Sequence, residues 1–316
     1  MKTSHNICTN KNTHYCYVKQ KGIALLIVLW MSILLTSIVS GFAYYSQIEG
    51  LLTRRSVDRL TATEAVKAGL ALTVYQLKYA SNEQPVWADG RPYTINFDDV
   101  NLTIRIQDEG GKFSINGASA ELWTSLFVSV GVDNDKANEL ADAILDFRDS
   151  DSEYRLLGAE VDDYAQAGLL AGPKNDNIIA TEELLQVYGM DYAIFKKIQH
   201  AISPYTFRAE PDWRVAPATI LNILPDMNEA FISTYLAARS TETSTTNALP
   251  SWPDGRQLFI HSGDGPIYTI DIKATLSNNS THHFIITINT QSRHFFTIKS
   301  WQEKTATAHD PVLEED

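Results

Sequence analysis

From Ile23 to Ala43 the chain runs for 21 positions without a charged residue, and Glu49 is the first charge after that. Coiled as a helix at about 1.5 Å per residue, this run is roughly 32 Å long. That length matches a bilayer's hydrocarbon core of about 30 Å. Past Ala43 the apolar positions thin out but keep a helical spacing: Ile48, Leu51, Leu52, Val57, Leu60, Val66, Leu70, Val74 and Leu77. Arg54, Arg55, Asp58, Arg59, Glu64 and Lys67 fill the positions between them, and no proline occurs before Pro85. The pattern predicts one helix over Ile23–Tyr79, half in lipid and half amphipathic, the second half lying on a sheet made by later strands.

After a turn-rich stretch (SNEQPVWADGRP), Tyr93–Phe97 and Leu102–Gln107 read as strands, ended by Gly110-Gly111. Ser114 to about Arg239 reads as helical. Within it LFVSVGV, LLQVYGM and ILNILPD each precede a further helix, at Ala137–Phe147, Tyr192–Ile202 and Glu229–Ala238. Helix, tight turn, helix is the helix-hairpin-helix pattern. A polar linker, STETSTTN, leads to strand signals at Leu258–His261, Ile267–Thr275, His282–Thr290 and Arg293–Trp301. The fold class expected is α+β: one sheet split by a large helical insertion and packed against the N-terminal helix.

Charge adds a direction. Residues 1–22 hold Lys2, Lys11, Lys19 and Lys21 and no acid, so the positive-inside rule leaves the N-terminus in the cytoplasm. The segment lacks the apolar core of an ordinary secretory signal. It is either part of an uncleaved anchor or a leader cut after Gly22, ahead of the apolar run. Without it, 22 basic residues face 38 acidic ones, a balance that disfavours nucleic acid. The acids around the helical hairpins (Asp133, Asp135, Glu139, Asp142, Asp191) argue for packing modules rather than DNA-binding ones. Both cysteines, Cys8 and Cys16, lie in the leader, so the body has neither disulfide nor thiol chemistry.

The densest acidic cluster begins at Asp146 and continues through Asp149, Asp151, Glu153, Glu160, Asp162 and Asp163. Counting Asp149 as position 1 puts Asp151 at 3, Glu153 at 5 and Glu160 at 12, the oxygen-ligand positions of a calcium loop. Tyr154 stands at position 6, where an EF-hand needs glycine, so the loop is not an EF-hand. Two readings stay open here: crowded carboxylates around a hard cation, or a solvated acidic loop in which Asp149 or Asp151 caps a helix. No G-x-S-x-G, H-E-x-x-H or Walker A pattern occurs. His282-His283 reads as a solvated pair.

KG/IALLIVLW at the start, ILDFRDSDSEYRLLGAEVDDY, ATEELLQVYGM, YLAAR and FFTIKSWQE together resemble the K-type minor pseudopilins of the bacterial type II secretion system. The resemblance implies a pilin-like fold with a helical domain inserted in the sheet. The segments expected are a prepilin leader (1–22), a transmembrane and amphipathic helix (23–80), a sheet (81–113 and 250–303), an inserted helical domain with linker (114–249) and a disordered tail (304–316). It implies cleavage between Gly22 and Ile23 by a prepilin peptidase, N-methylation of Ile23, and a single-pass inner-membrane protein with a periplasmic body. Partners would be I- and J-type minor pseudopilins and the inner-membrane secretion platform. The family's helical domain binds calcium, for which Asp149, Asp151, Glu153, Glu160 and Asp163 are the ligand candidates. Phe147 and Val215-Ala-Pro depart from the family's usual residues. Ile27 occupies the fifth place after Gly22, where most pilin-like subunits carry a glutamate, an absence the K type shares and a tip position tolerates. A type IV or competence minor pilin, a membrane-anchored DNA-binding protein and, more distantly, a metal-dependent hydrolase are the rival readings.

Overall fold

A computed structural model describes residues 23–79, 86–169, 171–206, 208, 210–223, 228–241, 267–291 and 295–304. The leader with Gly22 and both cysteines, the Leu258–His261 strand signal and the tail after Lys304 lie outside the described residues, while Lys304 itself ends a strand.

Helix α1 is continuous over Ile23–Tyr79. Every side chain from Ile23 to Val57 is exposed, and among the described residues α1 is the one helix long and apolar enough to cross a membrane. These residues form one compact unit; those from Asp58 onward form another. In the second unit α1 buries Ala62, Val66, Gly69, Leu70, Thr73 and Val74, a stripe at helical spacing. Leu60, which the periodicity placed inward, points out, and small Ala62 is buried instead. Small residues let the helix backbone approach the sheet. A Cβ on Gly69 would stand 2.5 Å from Leu102 Cδ1.

The sheet has five strands in the order β1-β2-β5-β6-β7, every neighbouring pair antiparallel: β1 Asp89–Phe97, β2 Val100–Asp108, β5 Ile267–Leu276, β6 Thr281–Asn289 and β7 Thr297–Lys304. Alternation puts Leu102, Ile104, Ile106, Ile270, Ile272, Phe284, Ile286 and Ile288 in the core shared with α1. The edge strand β1 begins earlier than its alternation suggests, with a register irregularity between Asp89 and Pro92. Proline is tolerated there because an edge strand has a row of unpaired groups. Strand β7 is shifted toward the C-terminus relative to Arg293–Trp301. His282 and His283 are paired rather than solvated: His283 Nε2 lies 2.6 Å from Asp271 Oδ1 and His282 Nδ1 lies 3.5 Å from Glu303 Oε1.

Between β2 and β5 lies the helical block, with its own core around Trp123, Phe127, Leu140, Ile144, Phe147, Tyr164, Leu184, Ile198 and Tyr235. Its helices are α2 (Ala120–Ser129), α3 (Asn134–Arg148), α4 (Val161–Gln166), α5 (Tyr192–Ile198), α6 (Ala218–Leu221) and α7 (Glu229–Thr241). A 3-10 turn at Thr181–Gln186 precedes α5. Side-chain oxygens of Ser119, Asp133 and Asp191 cap α2, α3 and α5. The block is not purely helical: β3 (Phe113–Ser114) and β4 (Ile202–Ser203) form a short parallel pair that closes it near its entrance. It meets the sheet through polar contacts. Gln107 Nε2 donates to Val215 O at 2.7 Å, Asp212 N to Gly110 O at 2.8 Å, and Arg91 Nη2 to Arg239 O at 2.6 Å.

Candidate functional site

Two features of the helical block were open to a functional reading: the hairpins and the acidic end of α3.

Gly131 and Gly189 supply the left-handed turns of two hairpins, with φ of 84° and 76°. The hairpin amides are spent inside the fold. Gly131 N donates to Val128 O, Val132 N to Phe127 O and Met190 N to Val187 O. Two nearby lysines have partners at the surface: Lys197 Nζ donates to Val130 O at 2.9 Å, and Lys136 Nζ donates to Glu139 Oε2 at 3.2 Å. Among the described residues, the amides of Gly131, Val132 and Met190 are thus already engaged at these turns, which leaves less for a phosphate to bind.

The acidic site is built from α3 and the loop that wraps its end. Asp142 and Asp146 stand one turn apart on α3. Leu157 N donates to Asp142 Oδ2 at 3.1 Å, and Arg155 N to Asp146 Oδ2 at 3.3 Å. Gly158 fits this wrap because it lacks a side chain, for its Cβ would stand 1.8 Å from Asp146 Oδ2. Asp146 is fully buried and Glu160, just before α4, is 2% exposed. Asp146 Oδ1, Asp149 Oδ1 and both carboxylate oxygens of Glu160 are buried without a hydrogen-bond partner. Asn175, whose N donates to Phe147 O at 3.0 Å, leaves its Oδ1 buried and unpartnered at the same helix end.

The electrostatics follow from that burial. Burial pushes the Asp146 carboxyl up to about 6, and the neighbouring Asp149 and Asp142 charges add to the rise. Glu160 is raised by burial and then by Asp146, Asp149 and Asp151. Asp149 is raised by burial and by Asp151. A buried carboxylate without a partner is unfavourable by several kcal/mol unless it takes up a proton or a cation.

The candidates read from the spacing divide. Asp149 and Glu160 turn to the buried cluster. Asp151 and Glu153 are exposed, Asp151 Oδ1 accepting from Glu153 N at 2.9 Å, and Asp163 Oδ2 accepts from Glu160 N at 3.1 Å at the start of α4. Asp146 joins the cluster and Asn175 lies at the same helix end, although the loop count began after the first and never reached the second. Among the described residues no three His, Cys, Asp or Glu side chains are drawn close enough to form a closed ligand shell. The orphaned donors are carboxylate and amide oxygens, the chemistry that hard cations such as calcium prefer and zinc or copper do not.

A family model described as "Type II secretion system (T2SS), protein K" matches residues 99–205, which include the whole acidic site. The type II secretion system protein K of Klebsiella pneumoniae is 28% identical over 203 residues, covering 57% of this chain and 61% of that protein. The protein K of Dickeya chrysanthemi is 32% identical over 80 residues, 25% of this chain and 22% of that protein. The match thus spans about three fifths of the length of the Klebsiella relative. Among solved structures, a chain of the GspK-GspI-GspJ complex from the type 2 secretion system of enterotoxigenic Escherichia coli superposes with a TM-score of 0.55 at 14% identity, over 80% of this chain and 99% of that one. That likeness is one of fold: a long N-terminal helix, an antiparallel sheet and further helices. Over residues 99–205, this chain is similar to the K proteins of the type II secretion system.

Proposed function

We propose that the chain is a non-enzymatic minor pseudopilin placed at the tip of the type II secretion pseudopilus, where it helps start assembly and so supports protein export. The observation that carries this reading is the interruption of a stem-and-sheet subunit by the helical block that the protein K family model matches. The matched solved chain comes from a complex of GspK, GspI and GspJ, which supports I- and J-type pseudopilins as partners here. The apolar run supports a single-pass anchor in the inner membrane. The four leader lysines support a cytoplasmic N-terminus and a periplasmic body.

Assembly follows from elementary electrostatics. A carboxylate inside a bilayer is costly unless it meets a cation, so a glutamate near the start of a pilin-like stem favours contact with a neighbour's N-terminal amine. Ile27 stands in that place, and no acid occurs between Ile23 and Gln47. A subunit without this carboxylate makes no such contact with a subunit ahead of it, as suits the first position. Mass spectrometry of the membrane-extracted protein tests the processing half of the proposal. The first residue is expected to be N-methylated Ile23, left by a prepilin peptidase cutting after Gly22; an intact residue 1 overturns it. Co-expression with the I- and J-type subunits and the secretion platform tests the assembly half. The expected result is a complex that no longer forms when this chain is omitted, and a complex unchanged by its omission overturns the tip assignment.

Calcium belongs to the same reading. Asp146, Asp149 and Glu160, with Asn175 Oδ1, would hold the ion, and Asp151, Glu153 and Asp163 lie in the loop and helix start around them. The ion would neutralise buried charge and join the α3 end to α4; its role is structural. Removing calcium with EDTA is expected to lower the melting temperature, and adding it back to restore it. Indifference to both overturns this part.

A further inference from the structure

Asp146 already has a positive neighbour. Arg155 Nε stands 3.3 Å from Asp146 Oδ1, the same oxygen that lacks a hydrogen bond, so the two are close but misaligned. The contrast in burial is large: the Asp146 side chain is 0% exposed and the Arg155 side chain 44%. Arg155 also has a like charge near it. The Arg148 guanidinium is fixed by donating to the carbonyls of Ile115 and Ala118, and it stands close enough for the two positive charges to disfavour each other. Arg155 is therefore a weakly held, half-exposed cation over a buried carboxylate. Glu160, close enough to feel the Asp146 charge, has both carboxylate oxygens buried without a side-chain partner.

We infer that the Arg155 guanidinium is a built-in counter-ion that competes with a divalent cation for Asp146. The inference rests on the calcium reading of the cluster. A guanidinium brings one charge and, in this geometry, reaches one carboxylate. A divalent ion brings two charges and takes six to eight oxygens, enough to engage Asp146, Asp149, Glu160 and Asn175 Oδ1 together. Entry of the ion releases Arg155 to solvent. The backbone of Arg155 and Leu157 stays tied to Asp146 and Asp142, while Leu156 between them is 93% exposed. The surface that changes with the ion is thus Tyr154–Leu157.

The test is calorimetric titration of Ca²⁺ into the full chain in detergent after chelator treatment and removal, for the wild type, Arg155→Gln and Arg155→Lys. If Arg155 occupies the site nine-tenths of the time, its loss tightens apparent calcium affinity about tenfold. Lysine keeps the charge and is expected to stay near the wild type. A second readout separates direct displacement from a remote effect of charge: labelling of Arg155 by phenylglyoxal, followed by peptide mass spectrometry, is expected to rise when calcium is added. Arg155→Gln binding calcium no more tightly than the wild type, or labelling indifferent to calcium, overturns the inference and leaves the calcium site standing. Absence of calcium binding by both wild type and Arg155→Gln overturns the calcium reading itself, and this inference with it.

Discussion

The sheet and the helical block are opposites in how they are held. The five strands of the sheet carry five basic and four acidic residues, and their apolar faces close against α1. The block from 114 to 241 carries twenty acidic and nine basic residues, with buried carboxylate oxygens that have no hydrogen-bond partner among the described residues. A sheet can be completed by its own ladder and side chains. The helical block has short helices, many charges and buried carboxylates short of hydrogen-bond partners among the described residues. The difference teaches where solvent composition should act: on the block, and hardly on the sheet.

The largest effect expected breaks the sheet without touching the block. Ile286 is fully buried beneath α1, and Ile286→Ala should destabilise that region by about 2–5 kcal/mol, with or without calcium. Denaturant unfolding followed by hydrogen exchange checks this; rescue by calcium would erase the contrast. Next comes the ion. At a hundredfold excess over its dissociation constant, calcium should stabilise by about 2.7 kcal/mol. Hydrogen exchange should place the added protection in residues 113–241, and equal protection of 267–289 would count against the division.

A smaller effect concerns pH. Burial raises Asp146 to about 6, above an unfolded carboxyl near 4, so the folded state binds this proton more tightly. In EDTA, stability from this group is full below about pH 4 and is lost as pH rises through about 6. Calcium reverses the sign, because the ion needs the ionised carboxylate. Asp108 at the sheet end is also raised to about 6, chiefly by burial, so the difference between the wild type and Asp146→Asn is the informative measurement. Asp146→Asn should raise the EDTA melting temperature at pH 7.5 by a few degrees, about 1 kcal/mol, and remove the response to calcium. The smallest effect sharpens the picture inside the block. Asp191 Oδ1 accepts from Ile194 N at 2.8 Å at the start of α5. Asp191→Ala should destabilise by about 1 kcal/mol in thermal unfolding, and calcium should not compensate.

Much of the fold was legible because periodicity reports burial. The run from Ile23 to Tyr79 and the alternation in LTIRIQ, YTIDIKAT and FIITINT correspond to α1, β2, β5 and β6. Periodicity misplaced Leu60 because it weighs side-chain size, whereas helix-to-sheet approach selects Ala62 and Gly69. The site was less legible. Asp146 sits between Leu145 and Phe147 in a helix end buried on all sides, since the loop at 155–158 wraps it. Spacing along the loop counts ligands in sequence order and so began at Asp149. The signal available was the pair Asp142 and Asp146, one turn apart, followed by a glycine at 158. Asn175 offered none, for an amide twelve residues past Asp163 has no spacing rule to identify it.

One feature of the sheet sets the order in which the molecule can be made. Strands β2 and β5 are direct neighbours along Val100–Leu276 to Asp108–Tyr268, yet the whole helical block separates them in the chain. Joining them closes a very long loop, an entropic cost that falls if the block has already collapsed and brought its two ends together. As the chain is made from its N-terminus, residues 113–241 can fold while β1 and β2 wait with one unpaired edge. The sheet is finished only when β5, β6 and β7 arrive, which makes the interval between those events the one in which the nascent subunit is most exposed to capture by a foreign strand.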